Sequence, residues 1–247
     1  MASAVTPTLS PGPSVRAGGW RWQGQVLWLV TTAPSRGFSS LAARPAWLLV
    51  FLLVFLLNAV YSRPMLPLAT RAALGEVAAK AGPATEEGEA RITRQVQIGQ
   101  MIGIIVSPTF LLAKWLAVAI LLWTVVTIIG RDVGLRAMFS LAAHANLPLI
   151  LGYFMSLQLV ILRGPDEISS LADLRPRLGL NAFVTGATPA ADIWLGSFGP
   201  LDAWFVFLLI IGLENMAQLA RRTAILLAVG YWLLAVTLQA SLAGLGG

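Results

Sequence analysis

From Pro45 to Ser62 the chain reads PAWLLVFLLVFLLNAVYS, without one charged residue. Pro45 suits a first helical position, and the 17 residues after it rise about 26 Å, close to the hydrocarbon thickness of a bilayer. Trp47 and Tyr61 stand at the two ends of the run, where amphipathic rings meet the headgroups. Comparable runs follow at 111–130, 137–162, 201–220 and 223–243. Composition excludes the alternative of a soluble domain with a large core. Apolar residues make up 57% of the 247 positions and charged ones 11%, against about 25% charged in soluble domains. Such a chain cannot cover its apolar surface with polar residues in water. An all-α membrane protein with five transmembrane helices is therefore expected.

The same composition narrows the chemistry. With no Cys, disulfides, thiolate metal sites and Cys nucleophiles are excluded, and a single His excludes every motif that needs two. No G-x-x-x-x-G-K-[ST], H-E-x-x-H or G-x-S-x-G occurs, so nucleotide hydrolysis, zinc proteolysis and Ser–His hydrolysis have no support. No cofactor is expected, and the chain is not expected to be an enzyme. The net charge of +6 comes from dispersed Arg, without the basic–aromatic interleaving of a nucleic-acid surface. Arg outnumbers Lys and Ala and Leu abound, which points to a GC-rich genome and a bacterial source.

Between the spans the chain changes character. Residues 1–19 are rich in Pro, Ser, Ala and Gly and are expected to be a disordered tail. Residues 20–43 carry Trp20, Trp22 and Trp28 with Arg21 and Arg36, a pattern suited to the headgroup layer and broken at Pro34. Residues 1–44 are thus expected to form a tail with an interfacial segment, 45–243 the membrane domain, and 244–247 a short C-terminal tail. Residues 63–100 turn polar, with Glu76 and Lys80 spaced i,i+4 on a short helix and Thr85 ahead of Glu86, Glu87 and Glu89 as a helix start. Ser107-Pro108 predicts a break, which separates a shallow amphipathic helix at 91–106 from the second span. Lys114 is expected near the outer end of that span, able to snorkel, and Trp115, like Trp47, Trp194 and Trp204, is expected to anchor at an interface. In the polar stretch 163–200, Ser170 and Asp173 have capping-box spacing ahead of Pro176.

Arg in the short links sets the orientation. Arg131, Arg136, Arg221 and Arg222 crowd two tight turns, and Arg16, Arg21, Arg36 and Arg44 join them on the same side, with Asp132 as its acid. The positive-inside rule places that side in the cytoplasm. The N-terminus is then cytoplasmic and the C-terminus outside, in the inner membrane of a bacterium.

Three stretches carry a family resemblance: Pro34-Ser35-Arg36-Gly37-Phe38, AAHANLPL at 142–149, and GSFGPLDAWFVFLLIIGLENMAQLARRTAILLAVGYWLL at 196–234. Through them, from about Val26 to Leu238, the chain resembles the Yip family, Rab-interacting membrane proteins built on the Yip-one domain, in its bacterial form. The resemblance implies a five-span helical bundle with a cytoplasmic N-terminus. In eukaryotic members it also implies partnership with Rab GTPases.

Ionisable residues inside spans are the candidate functional groups, because lipid penalises them unless they pair or face water. Counted from Arg136 and Arg221, His144 and Glu214 lie about 12 Å and 10 Å deep, at similar levels. Pro148 cannot donate to the carbonyl of residue 144, and Asn146 and Asn215 are placed to complete a polar cluster. Arg131, Asp132, Arg136, Arg221 and Arg222 form a candidate docking face for a protein or for anionic lipid. Two functions remain open. One is a non-enzymatic protein that binds or organises membrane or cytoplasmic protein partners, itself compatible with a homo-oligomer. The other is a small-solute or proton-linked transporter, or its accessory subunit, with a polar path at the third and fourth spans.

Overall fold

Pro34 turns the segment ahead of the first apolar run back on itself. α1 (Trp20–Thr32) ends at Ala33, and Pro34 opens α2 (Pro34–Ala43), where a missing N–H costs no helical bond. Gly37 lets the two helices close, since a Cβ there would stand 2.7 Å from the Val30 backbone nitrogen. The hairpin is more than an interfacial tail: Val26, Val30, Phe38 and Leu41 are buried in the main core. These features belong to a computed structural model, which describes residues 19–82, 85–168, 174 and 177–245. Residues 1–18, Ser170, Asp173 and Pro176 lie outside the described residues, as does the side chain of Lys80.

α3 (Leu48–Ala81) and α4 (Glu86–Ile128) are both longer than hydropathy suggests. The first span does not end at Ser62, and Ser107-Pro108 does not break the second helix. Instead α3 runs through Pro64 and Pro67, and α4 through Pro108, so the expected shallow helix at 91–106 is the first half of α4. An internal Pro costs about 3 kcal/mol, and packing of α3 along α4 offsets it. Gln100 of α4 also secures the stretch around Pro64. Its amide donates to the Ser62 carbonyl (3.1 Å) and accepts from the Leu66 N–H (3.2 Å), which brackets Pro64. Thr85 starts α4 as expected, its hydroxyl accepting from Gly88 N–H at 3.3 Å with three Glu in the first turn.

The third apolar run is two helices, α5 (Leu135–Ala145) and α6 (Leu147–Arg163), joined at Asn146 just ahead of Pro148. α7 (Pro189–Gly196) and α8 (Pro200–Met216) meet at a 60° bend, and α9 (Arg221–Leu245) completes the bundle. The fourth span does not reach residue 220, because the chain leaves the helix after Met216 and Gln218 takes φ 50°. Among the described residues there is no strand. Four segments are long and apolar enough to cross a membrane, and the number is five when the bent α7–α8 pair is counted as one span. The chain is an all-helical multi-pass membrane protein.

α5 lies at the centre, with Ala137, Met138, Ser140, Leu141, Ala142, Ala143, His144 and Ala145 all buried. Its small residues let α2, α4 and α8 approach closely. Trp115 also belongs to this core: it is fully buried and packs edge-on against Phe139, so it is no interface anchor. A hydrogen-bond exchange fixes the start of α3 against α5. The Ser140 hydroxyl donates to the Ala46 carbonyl (2.6 Å) and accepts from its N–H (3.2 Å). At the opposite end Arg71 pairs with Asp166 at 3.1 Å.

Candidate functional site

The starts of α3, α5 and α9 and the ends of α4 and α8 share one end of the bundle, and it is basic. Arg131 and Asp132 lie in the link between α4 and α5, Arg136 in the first turn of α5, and Arg221 and Arg222 open α9; all five are exposed. The fold sets Arg44, expected on this side, at one cavity with Arg136 and adds Gln23 and Ser39, which linear spacing did not single out. Arg44 and Arg136 line one cavity of about 550 Å³, with Trp22, Gln23 and Trp47 around them. Gln23 is held there by a structural duty, since its Oε1 accepts from the Leu49 N–H (3.1 Å) at the start of α3. The α1–α2 hairpin is tied to the same end through Ser39, whose hydroxyl donates to Asn215 Oδ1 at 3.1 Å. Polar side chains set among apolar neighbours, such as Ser140 and Asn215, were the available signals for these ties.

The expected cluster of His144, Asn146, Glu214 and Asn215 is not a joined network. His144 is buried, with Nδ1 2.9 Å from the Ser140 carbonyl of its own helix. Asn146 donates to Ala142 (2.7 Å) and Asn215 to Ile211 (2.8 Å), again within their own turns. Glu214 lies 3.9 Å from Arg221 Nε, a loose pair whose Arg is 83% exposed. Among the described residues no hydrogen bond or ion pair links His144 to Glu214.

Helix register explains the separation. Gly212 faces Leu141, and Gly152 faces Leu201, so eleven residues up α5–α6 match eleven down α8. On that register His144 stands opposite Leu209, and Glu214 opposite Phe139. The two are offset by five residues, about 7.5 Å along the axis. Depth counted back from Arg221 placed Glu214 too deep, because residues 217–220 are not helical. Glu214 sits two residues from the end of α8, near the basic face.

These elements form a continuous unit from the hairpin to the last helix. A family model for the Yip1 domain matches residues 28–242. The chain belongs to the Yip1-domain family. The match takes in the end of α1, all of α2 and nearly all of α9, so α2 and the turn before it lie within the Yip1 domain while residues 20–27 precede the match. None of the curated proteins and none of the solved structures matches the chain. Among the described residues of this Yip1 domain, no three His, Asp or Glu side chains gather as a metal site would require.

Proposed function

We propose that this Yip1-domain protein is a non-enzymatic membrane organiser that binds partner proteins through its basic end. The supporting observation is a single surface. Exposed guanidinium groups from two interhelical turns lie at the same end of the bundle as the α1–α2 hairpin, where Arg136 lines a cavity with Trp22 and Gln23 and where Ser39–Asn215 ties α2 to α8. Arg favours such work because its planar donor fork recognises carboxylates and phosphates in two-point fashion. By the positive-inside rule the face is cytoplasmic, with the N-terminus inside, the C-terminus outside and the inner membrane of a bacterium as the location. The separation of His144 from Glu214 weakens the rival transporter reading, which needs them to relay charge.

Replacing Arg131, Arg136, Arg221 and Arg222 with Gln should strip co-purifying proteins from the full-length protein isolated in native detergent. Retained orientation must be verified in the variant, since these residues also carry the topological signal. His144→Gln, buried within α5 and bonded to its own helix, should leave the partner set unchanged. A correctly oriented Arg variant that keeps every partner refutes the organiser. If Glu214→Gln also abolishes a proton or solute flux in proteoliposomes, the protein is a transporter.

A further inference from the structure

On the opposite half of the bundle, α3, α4 and α6 leave a cleft between them. It has two chambers, of about 370 and 340 Å³, which share Asn58, Ser107 and Tyr153 as lining. Lys114 lines the second chamber. Measured up α4 from Ile128, Lys114 lies about 21 Å from the basic end, inside a hydrocarbon core of about 30 Å. Asn58 and Asn146 lie about 15 and 16 Å from that end, near mid-depth. Polar groups at such depth need partners, because lipid offers none. Yet among the described residues the side chains of Asn58, Ser107, Lys114 and Tyr153 make no hydrogen bond or ion pair. Asp202, at the start of α8, is within electrostatic reach of Lys114 but forms no ion pair with it.

An ammonium without an ion-pair partner among the described residues, in a cleft walled by apolar side chains and a few hydrogen-bonding ones, selects an anion attached to a hydrocarbon tail. We propose that the cleft seats one anionic phospholipid drawn from the leaflet opposite the basic end. Side chains on a helix lean toward its N-terminus, which for α4 is the direction of that leaflet. Lys114 can thus raise its ammonium from about 9 Å below the boundary toward the phosphate, with Asn58, Ser107 and Tyr153 offering further hydrogen bonds. Phe110, Leu111 and Leu149 line the same chamber and give the acyl chain its contact. The site is separate from the basic face and does not rest on the organiser function.

The test uses the full-length protein in detergent, with phosphatidylglycerol, phosphatidylcholine and inorganic phosphate as probes. Native mass spectrometry counts retained lipid, and a thermal-shift titration reports affinity. Phosphatidylglycerol should be retained and stabilising, phosphatidylcholine much less so, and free phosphate inert. Lys114→Gln should weaken phosphatidylglycerol binding about tenfold, the value of one charge-assisted contact, and Lys114→Arg should restore it. Ser107→Leu, which fills the junction of the chambers, should weaken binding with the charge intact. Arg131→Gln with Arg136→Gln should leave it unchanged. The proposal is overturned if Lys114→Gln keeps the preference, if only the Arg131 and Arg136 changes remove it, or if free phosphate binds as well as the lipid does.

Discussion

Gly212 is the tightest point at which α2, α5 and α8 meet, and adding one methyl group there should show it. A Cβ at this position would overlap Leu141 Cδ1 and stand 3.2 Å from Phe38 Cε1. Both neighbours are fully buried, so neither can swing out to make room. Overpacking of this kind costs about 1–3 kcal/mol. Gly→Ala also gains about 1 kcal/mol in helix propensity, which is cancelled by comparison with Gly230→Ala. Gly230 is likewise inside a helix, but a Cβ there meets nothing within 4 Å. In a denaturant titration followed by Trp fluorescence, Gly212→Ala should therefore be less stable than Gly230→Ala by about 1–3 kcal/mol. Leu141→Ala alone should cost about 2–5 kcal/mol by opening a cavity. The Gly212→Ala, Leu141→Ala double variant should cost less than the sum, because the new methyl enters the space the leucine leaves. Equal stability of the two glycine variants would refute this packing, and with it the register that separates His144 from Glu214.

Two further outcomes follow from the same geometry. His144→Leu and Glu214→Leu should be additive in stability within about 0.5 kcal/mol, since the residues share no partner and sit about 7.5 Å apart along the axis; a larger coupling in the double variant would restore the intramembrane pair. Because the chain has no native Cys, Asp132→Cys and Thr85→Cys, both exposed and at opposite ends, report sidedness without background. In intact cells an impermeant thiol reagent should label Thr85→Cys and spare Asp132→Cys, and the reverse pattern would overturn the cytoplasmic placement of the basic face.

Local chemistry with a single outcome is legible in the sequence. The Thr85 cap with its glutamates begins a helix as its chemistry requires, whereas the 137–162 run reads as one span and yet divides at Asn146, just ahead of Pro148. Pro64, Pro67 and Pro108 belong to the same residue type and yet break nothing. Their fate is decided by the neighbouring helix, through the pairing of α3 with α4 and the Gln100 amide that brackets Pro64, and tertiary partners have no trace in local spacing. Trp115 misleads for a related reason: an indole suits an interface or a core equally, and the large ring of Phe139 across from it determines the core. Depth estimates fail where they cross residues 217–220, because a rise of 1.5 Å applies only inside a helix.

The distribution of polarity also bears on which of the two functions this architecture favours. A transport path would have to join the cleft around Lys114 to the basic end. Between them stand Met138, Leu141, Leu208, Leu209 and Leu213, all without exposure, and the glycine contacts at 212 and 152 press α8 against α5–α6 over this stretch. His144 and Asn146, the polar groups at the boundary of that layer, spend hydrogen bonds on carbonyls one turn back along their own helix and present no chain of donors across it. Opening a route would require α5 to leave the centre of the bundle. That motion would uncover eight buried residues and break the Ser140–Ala46 exchange that fixes the start of α3. A fixed α5 is instead what a docking surface needs, because Arg131, Asp132 and Arg136 take their positions from its first turn and the link ahead of it. The packing that closes the membrane interior is thus the same packing that holds the basic face in place.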